Sequence, residues 1–118
     1  KIIEKNGYAI ILAESNIRDT IIGTLSSLIA KSKIYPDGTV IMAAAYTIDG
    51  FIKISLRVSG DPDSEVDLRM IVKGILNDSN GYGGGHKLAA GASIPQEKED
   101  LMIRNAISVL NDFVENKA

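Results

Sequence analysis

The chain has 118 residues, 45% of them apolar and 24% charged, enough for one domain-sized core and too apolar for a disordered segment. With no Cys, a disulfide scaffold, a thiolate zinc site and a Cys nucleophile are excluded, and the single His86 excludes a multi-His cluster. A net charge of −2 and a pI near 5.3 have the wrong sign for a domain held to nucleic acid by bulk charge, and no apolar run reaches the roughly 18–20 residues of a membrane span.

The start, Lys1 to Asn6, is too short and too charged for a secretory signal, so a cytoplasmic location is expected. Lys1 in place of an initiator Met reads as a processed chain or as a piece of a longer protein, and the second is the expectation. Tyr8 to Ala13 is a continuous apolar run that predicts a strand covered on both faces. Asn16 reads as a helix N-cap with Asp19 as its capping-box partner. Ile21, Leu25, Leu28 and Ile29 then predict an amphipathic helix over residues 17–32. Lys31 to Gly38 is a loop inside one domain, because the halves beside it are too small to stand alone.

Thr39 to Thr47 is a second buried strand, and Asp49-Gly50 is a two-residue hairpin signal. Phe51 to Ser59 alternates: Ile52, Ile54, Leu56 and Val58 share one face, and Lys53, Ser55, Arg57 and Ser59 share the other. Ser64 reads as an N-cap with Asp67 at the third helical position, before the stripe Leu68, Ile71, Val72, Ile75 and Leu76. Asn80 and Gly81 stop that helix. The glycine-rich segment Gly81 to Lys87 follows as a loop, then a small-residue strand from Leu88 to Pro95. A last helix runs from Glu97 to Val114 on Ile103, Ala106, Ile107, Leu110 and Phe113. The order β-α-β-β-α-β-α predicts an α/β fold: a mixed sheet of about four to five strands with three main helices packed on it.

Two constellations can carry chemistry. Four glycines in the five positions 81–85 are costly to order. They are either an anion-cradling run of bare backbone N–H groups, helped by His86 and Lys87, or a tight crossover where no Cβ fits. The segment is neither a Walker A loop nor a dinucleotide fingerprint, because it follows a helix and precedes a strand. His86 can donate to a phosphate oxygen or move a proton, although a lone His is more often structural. The face Lys53, Ser55, Arg57, Ser59 is either a solvated strand surface or a local anion site in which Arg57 clasps a phosphate. Whether that face adjoins the glycines is not legible in one sequence. Asp61, Asp63, Glu65 and Asp67 lack the Gly and Glu of a calcium loop and read as helix-start acids.

The stretch Gly83-Gly84-Gly85-His86-Lys87-Leu88-Ala89-Ala90-Gly91-Ala92 resembles the GGGH-x-x-AAG signature of the C-terminal substrate-binding domain of DHH-superfamily phosphoesterases, with the RecJ-like single-strand exonucleases the preferred branch. Ile54 to Ser59 and the Val66-Asp67-Leu68 helix start are also similar to that family. The resemblance implies a single DHH-associated domain over residues 1–118. Its partner would be an N-terminal catalytic domain, outside this chain, holding two divalent cations, manganese above all. No catalytic residue and no metal ligand would then lie in this chain. Arg57, Ser59, Gly83, Gly84, Gly85, His86 and Lys87 would hold the phosphate of a single-stranded DNA or RNA end or a short oligonucleotide. Tyr82 stands where other members often carry a small residue, and whether it stacks on a base or packs inside is left open. A related domain ends alanyl-tRNA synthetases, so a tRNA-binding module is the alternative.

Overall fold

The two continuous apolar runs form the middle of the molecule, because only a strand covered on both sides can bury every side chain. They are β2 (Tyr8–Glu14) and β3 (Val40–Tyr46), which pair in parallel. The computed structural model describes residues 1–61 and 66–116. The other strands are β1 (Ile2–Lys5), β4 (Phe51–Val58), β5 (Tyr82–His86) and β6 (Ala89–Pro95). Together they form a mixed sheet in the order β1-β2-β3-β4-β6-β5, and every pair except β2–β3 is antiparallel. The helices are α1 (Ile22–Lys31), α2 (Leu68–Ile75) and α3 (Glu99–Glu115). Here α2 and α3 cover one face, over a core that includes Ile10, Met42, Ile54, Leu56, Ile75, Ile94, Met102 and Leu110. On the other face α1 packs over β3 and β4. No described helix is long and apolar enough to cross a membrane.

The α/β class, the mixed sheet and the three helices are as expected, but among the described residues the strands number six. The extra pair comes from β1 and β5. Asn6-Gly7 closes the β1–β2 hairpin, with Gly7 at φ 110°. It is a recognised turn dipeptide, preceded by a strand too short and too polar to stand out. The glycine segment is not a loop but the last strand of the sheet, joined to β6 by a turn at Lys87-Leu88.

Local starts differ too. A short 3₁₀ turn at Asp19–Ile21 precedes α1, and the Asn16 side chain caps nothing. The inward stripe of α1 is Ile22, Ser26 and Ala30, while Ile21 and Leu28 face solvent. The sheet beneath offers Ala43, Ala45 and Ser55, so small helix residues allow close approach where a larger stripe would hold the layers apart. The β3–β4 connection needs four residues, 47–50, with Thr47 N–H donating to the Phe51 carbonyl and Gly50 at φ 89°. In α3 the fully buried residues are Met102, Ala106 and Leu110; Ile103, Ile107 and Phe113 lie at the margin.

Ser64 lies outside the described residues. Asp67 is itself the N-cap of α2, its carboxylate accepting from Arg69 N–H at 3.1 Å and pairing with the Arg69 guanidinium at 2.8 Å. That hydrogen bonding holds the Asp67 carboxyl at about 2, below its ordinary 3.8. A depressed carboxylate adds stability that is complete above the unfolded value and is lost as pH falls through the folded one. The Asp67→Ala variant is expected to have a lower Tm than the wild type at pH 6. The gap should narrow from about pH 4 downward and close only below about pH 2, and a gap undiminished between pH 4 and pH 2 would exclude the carboxylate as its source.

Candidate functional site

The registers of β4, β6 and β5 bring the two constellations together. Arg57 pairs with Ala89, and Ala89 pairs with His86. Ser55, Gly91 and Gly84 form the next row, and Lys53, Ser93 and Tyr82 the one after. Residues directly opposite in an antiparallel pair project to one face. Arg57 and His86 therefore stand on the same side of the sheet, two strand spacings or about 10 Å apart, with only a methyl between them. Beyond β4 this face of β6 and β5 carries no helix among the described residues. It forms an open groove of 470 Å³, lined among others by Lys53, Tyr82, Gly84, Gly91 and Ser93.

The glycines serve two purposes. A Cβ on Gly83 would lie 2.6 Å from the Gly91 carbonyl oxygen and 2.8 Å from Ala92 Cβ, and one on Gly85, at φ 138°, would lie 2.6 Å from the Ala89 oxygen. Both are demanded by packing, as the tight-crossover reading required. A Cβ on Gly84 would meet nothing within 4 Å. The fold has no use for that glycine, and its bare backbone faces the groove.

Arg57 is half-buried and held from behind. Its Nη1 donates to the Leu56 carbonyl at 2.9 Å and to Ser55 Oγ at 3.3 Å. Ser55 Oγ lies 2.9 Å from Ser26 Oγ, which donates to the Gly23 carbonyl at 2.9 Å. With Ser26 donating there, the buried pair has one consistent direction: Arg57 to Ser55, Ser55 to Ser26, Ser26 to the first turn of α1. The Nε and Nη2 edge of the guanidinium has no partner among the described residues. That edge suits two parallel bonds to a phosphate.

Ser59 does not reach this face. It is fully buried, and its hydroxyl lies within bonding distance of the Tyr35 carbonyl at 3.0 Å and the Ala30 carbonyl at 3.3 Å, fastening the loop after α1. His86 and Lys87 are exposed at the β5–β6 turn, where the Lys87 carbonyl accepts from Leu68 N–H at 2.7 Å. Three residues that position the site were not picked out from sequence. Ser26 sits at a helical spacing that reads as core or surface alike. Ser79 donates to the Leu76 carbonyl and accepts from Gly81 N–H, while Asn105 donates to the carbonyls of Ile75 and Asn77. These last two fix the turn that feeds β5. Of them, only Ser79, in the polar run after α2, carries a turn signal.

Solved structures share this fold. The C-Ala domain of alanyl-tRNA synthetase from Aquifex aeolicus superposes with a TM-score of 0.70 at 13% identity, over 93% of this chain and 97% of that one. The pGpG-specific phosphodiesterase PggH from Vibrio cholerae matches at 0.58 and 14% identity, over 94% of this chain and 35% of its own. RecJ from Thermus thermophilus matches at 0.60 and 14% identity, over 91% of this chain and 15% of its own. A search of curated protein sequences gave no match. The chain thus spans about a third or less of the two longer proteins, and at these identities the likeness establishes the fold alone. The DHHA1 domain model matches residues 6–116, which takes in the whole sheet from β2 onward and all three helices, the glycine strand included. On that match, this chain belongs to the DHHA1 domain family.

Proposed function

We propose that this chain is the substrate-gripping domain of a metal-dependent phosphodiesterase or exonuclease of RecJ-like type, taking the phosphate of a single-stranded nucleic-acid end or a short oligonucleotide. The observation that carries the reading is the row Arg57–Ala89–His86, with bare Gly84 and Gly91 beside it. Arg57 and His86 stand in one row on one face of the sheet, and the backbone beside them at Gly84 is open to close approach. Lys87 adds charge at the turn. The site engages one or two phosphates, which an acidic domain can do with a few placed donors and no basic surface. The residues present do not fit the two cations: among those described, no three of His, Cys, Asp or Glu gather as a metal site. Those cations, expected to be manganese, belong to an N-terminal DHH domain in this proposal, and a cytoplasmic location goes with it.

A 5′-phosphorylated dinucleotide titrated into the chain should shift the amide signals of Gly84, Gly85 and His86 first. The chain alone should release no nucleotide from single-stranded DNA or RNA with manganese present. Shifts confined to another surface, or manganese-dependent release by the chain alone, would overturn the proposal. The near-complete span of the C-Ala domain supports a second reading, a tRNA-binding module. Tight retardation of tRNA by this chain in a gel, with the Arg57→Ala variant equally tight, would favour it.

A further inference from the structure

The turn that feeds β5 carries a covalent weakness that the fold itself imposes. Asn80 sits there at φ 60°, in the left-handed region where Asn, after Gly, is most at ease. The next residue has to be glycine: a Cβ on Gly81 would lie 2.5 Å from the Ser93 carbonyl oxygen and 2.8 Å from Ile94 Cγ1. The two requirements together write Asn-Gly. In that pair a thermolabile side-chain amide meets a following nitrogen that no side chain shields. Asn80 is exposed, and its carboxamide makes no hydrogen bond among the described residues. Ser79 restrains the pair, its buried Oγ accepting from Gly81 N–H at 3.1 Å.

We propose that Asn80 is a deamidation site whose isoaspartate product displaces the glycine strand. The Gly81 nitrogen attacks Asn80 Cγ. The N–Cγ bond forms, the Cγ–Nδ2 bond breaks, and ammonia leaves with the proton that Gly81 gives up. Water then opens the cyclic imide on one side or the other. One opening gives aspartate and an unchanged backbone. The other gives isoaspartate, whose main chain runs through Cβ and is one atom longer. That atom enters directly ahead of β5, a strand with no side chains at 83–85 to hold its register. It also falls between Ser79 and Tyr82, so Gly81 N–H is drawn away from Ser79 Oγ. His86 then leaves the row that it shares with Ala89 and Arg57. The resulting loss of ligand rests on the phosphate reading above; the displacement of β5 does not.

The folded chain, aged at mildly alkaline pH, can be mapped by peptide mass spectrometry while its β5 amides are followed by NMR. Isoaspartate should accumulate at residue 80, and the signals of Gly83, Gly84, Gly85 and His86 should move in the same proportion. The fraction that no longer binds a 5′-phosphorylated dinucleotide should match it. Asn80→Gly keeps the left-handed turn and cannot react, so it should age with β5 and binding intact. Asn80→Asp adds the charge without the longer chain. Residue 80 is six positions from His86, roughly 20 Å and beyond the screening length of about 10 Å, so this variant should bind within about twofold of the wild type. The other Asn-Gly, Asn6-Gly7, closes the hairpin at the opposite edge of the sheet, and its conversion should leave β5 unmoved. An Asn80 that stays intact in the folded chain while a urea-unfolded sample converts overturns the proposal, as does an isoaspartate-80 chain with unmoved β5 signals. An equal loss of binding in Asn80→Asp assigns the effect to charge and overturns the displacement as its cause. Moved β5 signals with undiminished binding overturn the phosphate reading and leave the deamidation site standing.

Discussion

Gly84→Ala will leave the chain folded and cut its affinity for a 5′-phosphorylated dinucleotide by about tenfold or more, whereas Gly83→Ala will damage the fold itself. The two positions are neighbours on β5 and differ only in which side of the sheet a methyl would enter. At Gly84 it enters empty groove, with nothing within 4 Å and no positive φ to forbid it. Replacing glycine at such a site restricts the unfolded chain and stabilises by about 0.4–1 kcal/mol. At Gly83 the methyl meets the Gly91 carbonyl at 2.6 Å and the Ala92 backbone at 2.9 Å. Those are main-chain atoms of the adjoining strand and cannot swing aside, so overpacking should cost about 1–3 kcal/mol. Thermal unfolding together with ligand titration separates the pair. A Gly84→Ala variant that binds as the wild type does would mean that nothing approaches this backbone.

Arg57→Ala should weaken binding of the same ligand by about 10- to 100-fold, the worth of a charge-assisted pair of hydrogen bonds. Arg57→Lys should recover little of it, because an ammonium cannot present two parallel donors. Ser55→Ala tests the support behind the guanidinium. It removes one acceptor from Nη1 and the hydroxyl that faces Ser26, but leaves the charge in place. A loss of severalfold in affinity is expected, smaller than that of Arg57→Ala, with stability lower by about 1 kcal/mol. Equal affinities for Ser55→Ala and the wild type would show that Leu56 alone is enough to hold the guanidinium.

What was legible in the sequence divides along physical lines. The central strands, α2 and α3 could be read because each must bury a face, and burial writes a period into the residues. The groups of the site could be named because glycines in a row and four outward positions without an acid are unusual. Their meeting could not be read. It depends on β6 lying between β4 and β5 with Ala89 as the common partner, a long-range register that no local pattern encodes. The strand nature of the glycine segment was hidden for a related reason: Gly83 and Gly85 lie against Ala92 and Ala90 of β6 but have no side chain to bury. The helix α1 misled because its sheet is lined with alanine and serine. There, beyond Ile22, the inward face is made of the small Ser26 and Ala30, against the usual rule that the large apolar residues go inside.

A strand without side chains on its inner face cannot be indexed by packing, and glycine-rich strands are prone to slip. The indexing of β5 comes from its ends. Ser79 and Asn105 hold the incoming turn, and the Lys87 carbonyl, tied to Leu68 at the start of α2, holds the outgoing one. A slip of one residue would carry His86 through the sheet to the side opposite Arg57. Alignment of His86 with Arg57 is therefore set by clamps at either end of a smooth ribbon. One of those clamps is an asparagine on α3, on the far side of the sheet from Arg57.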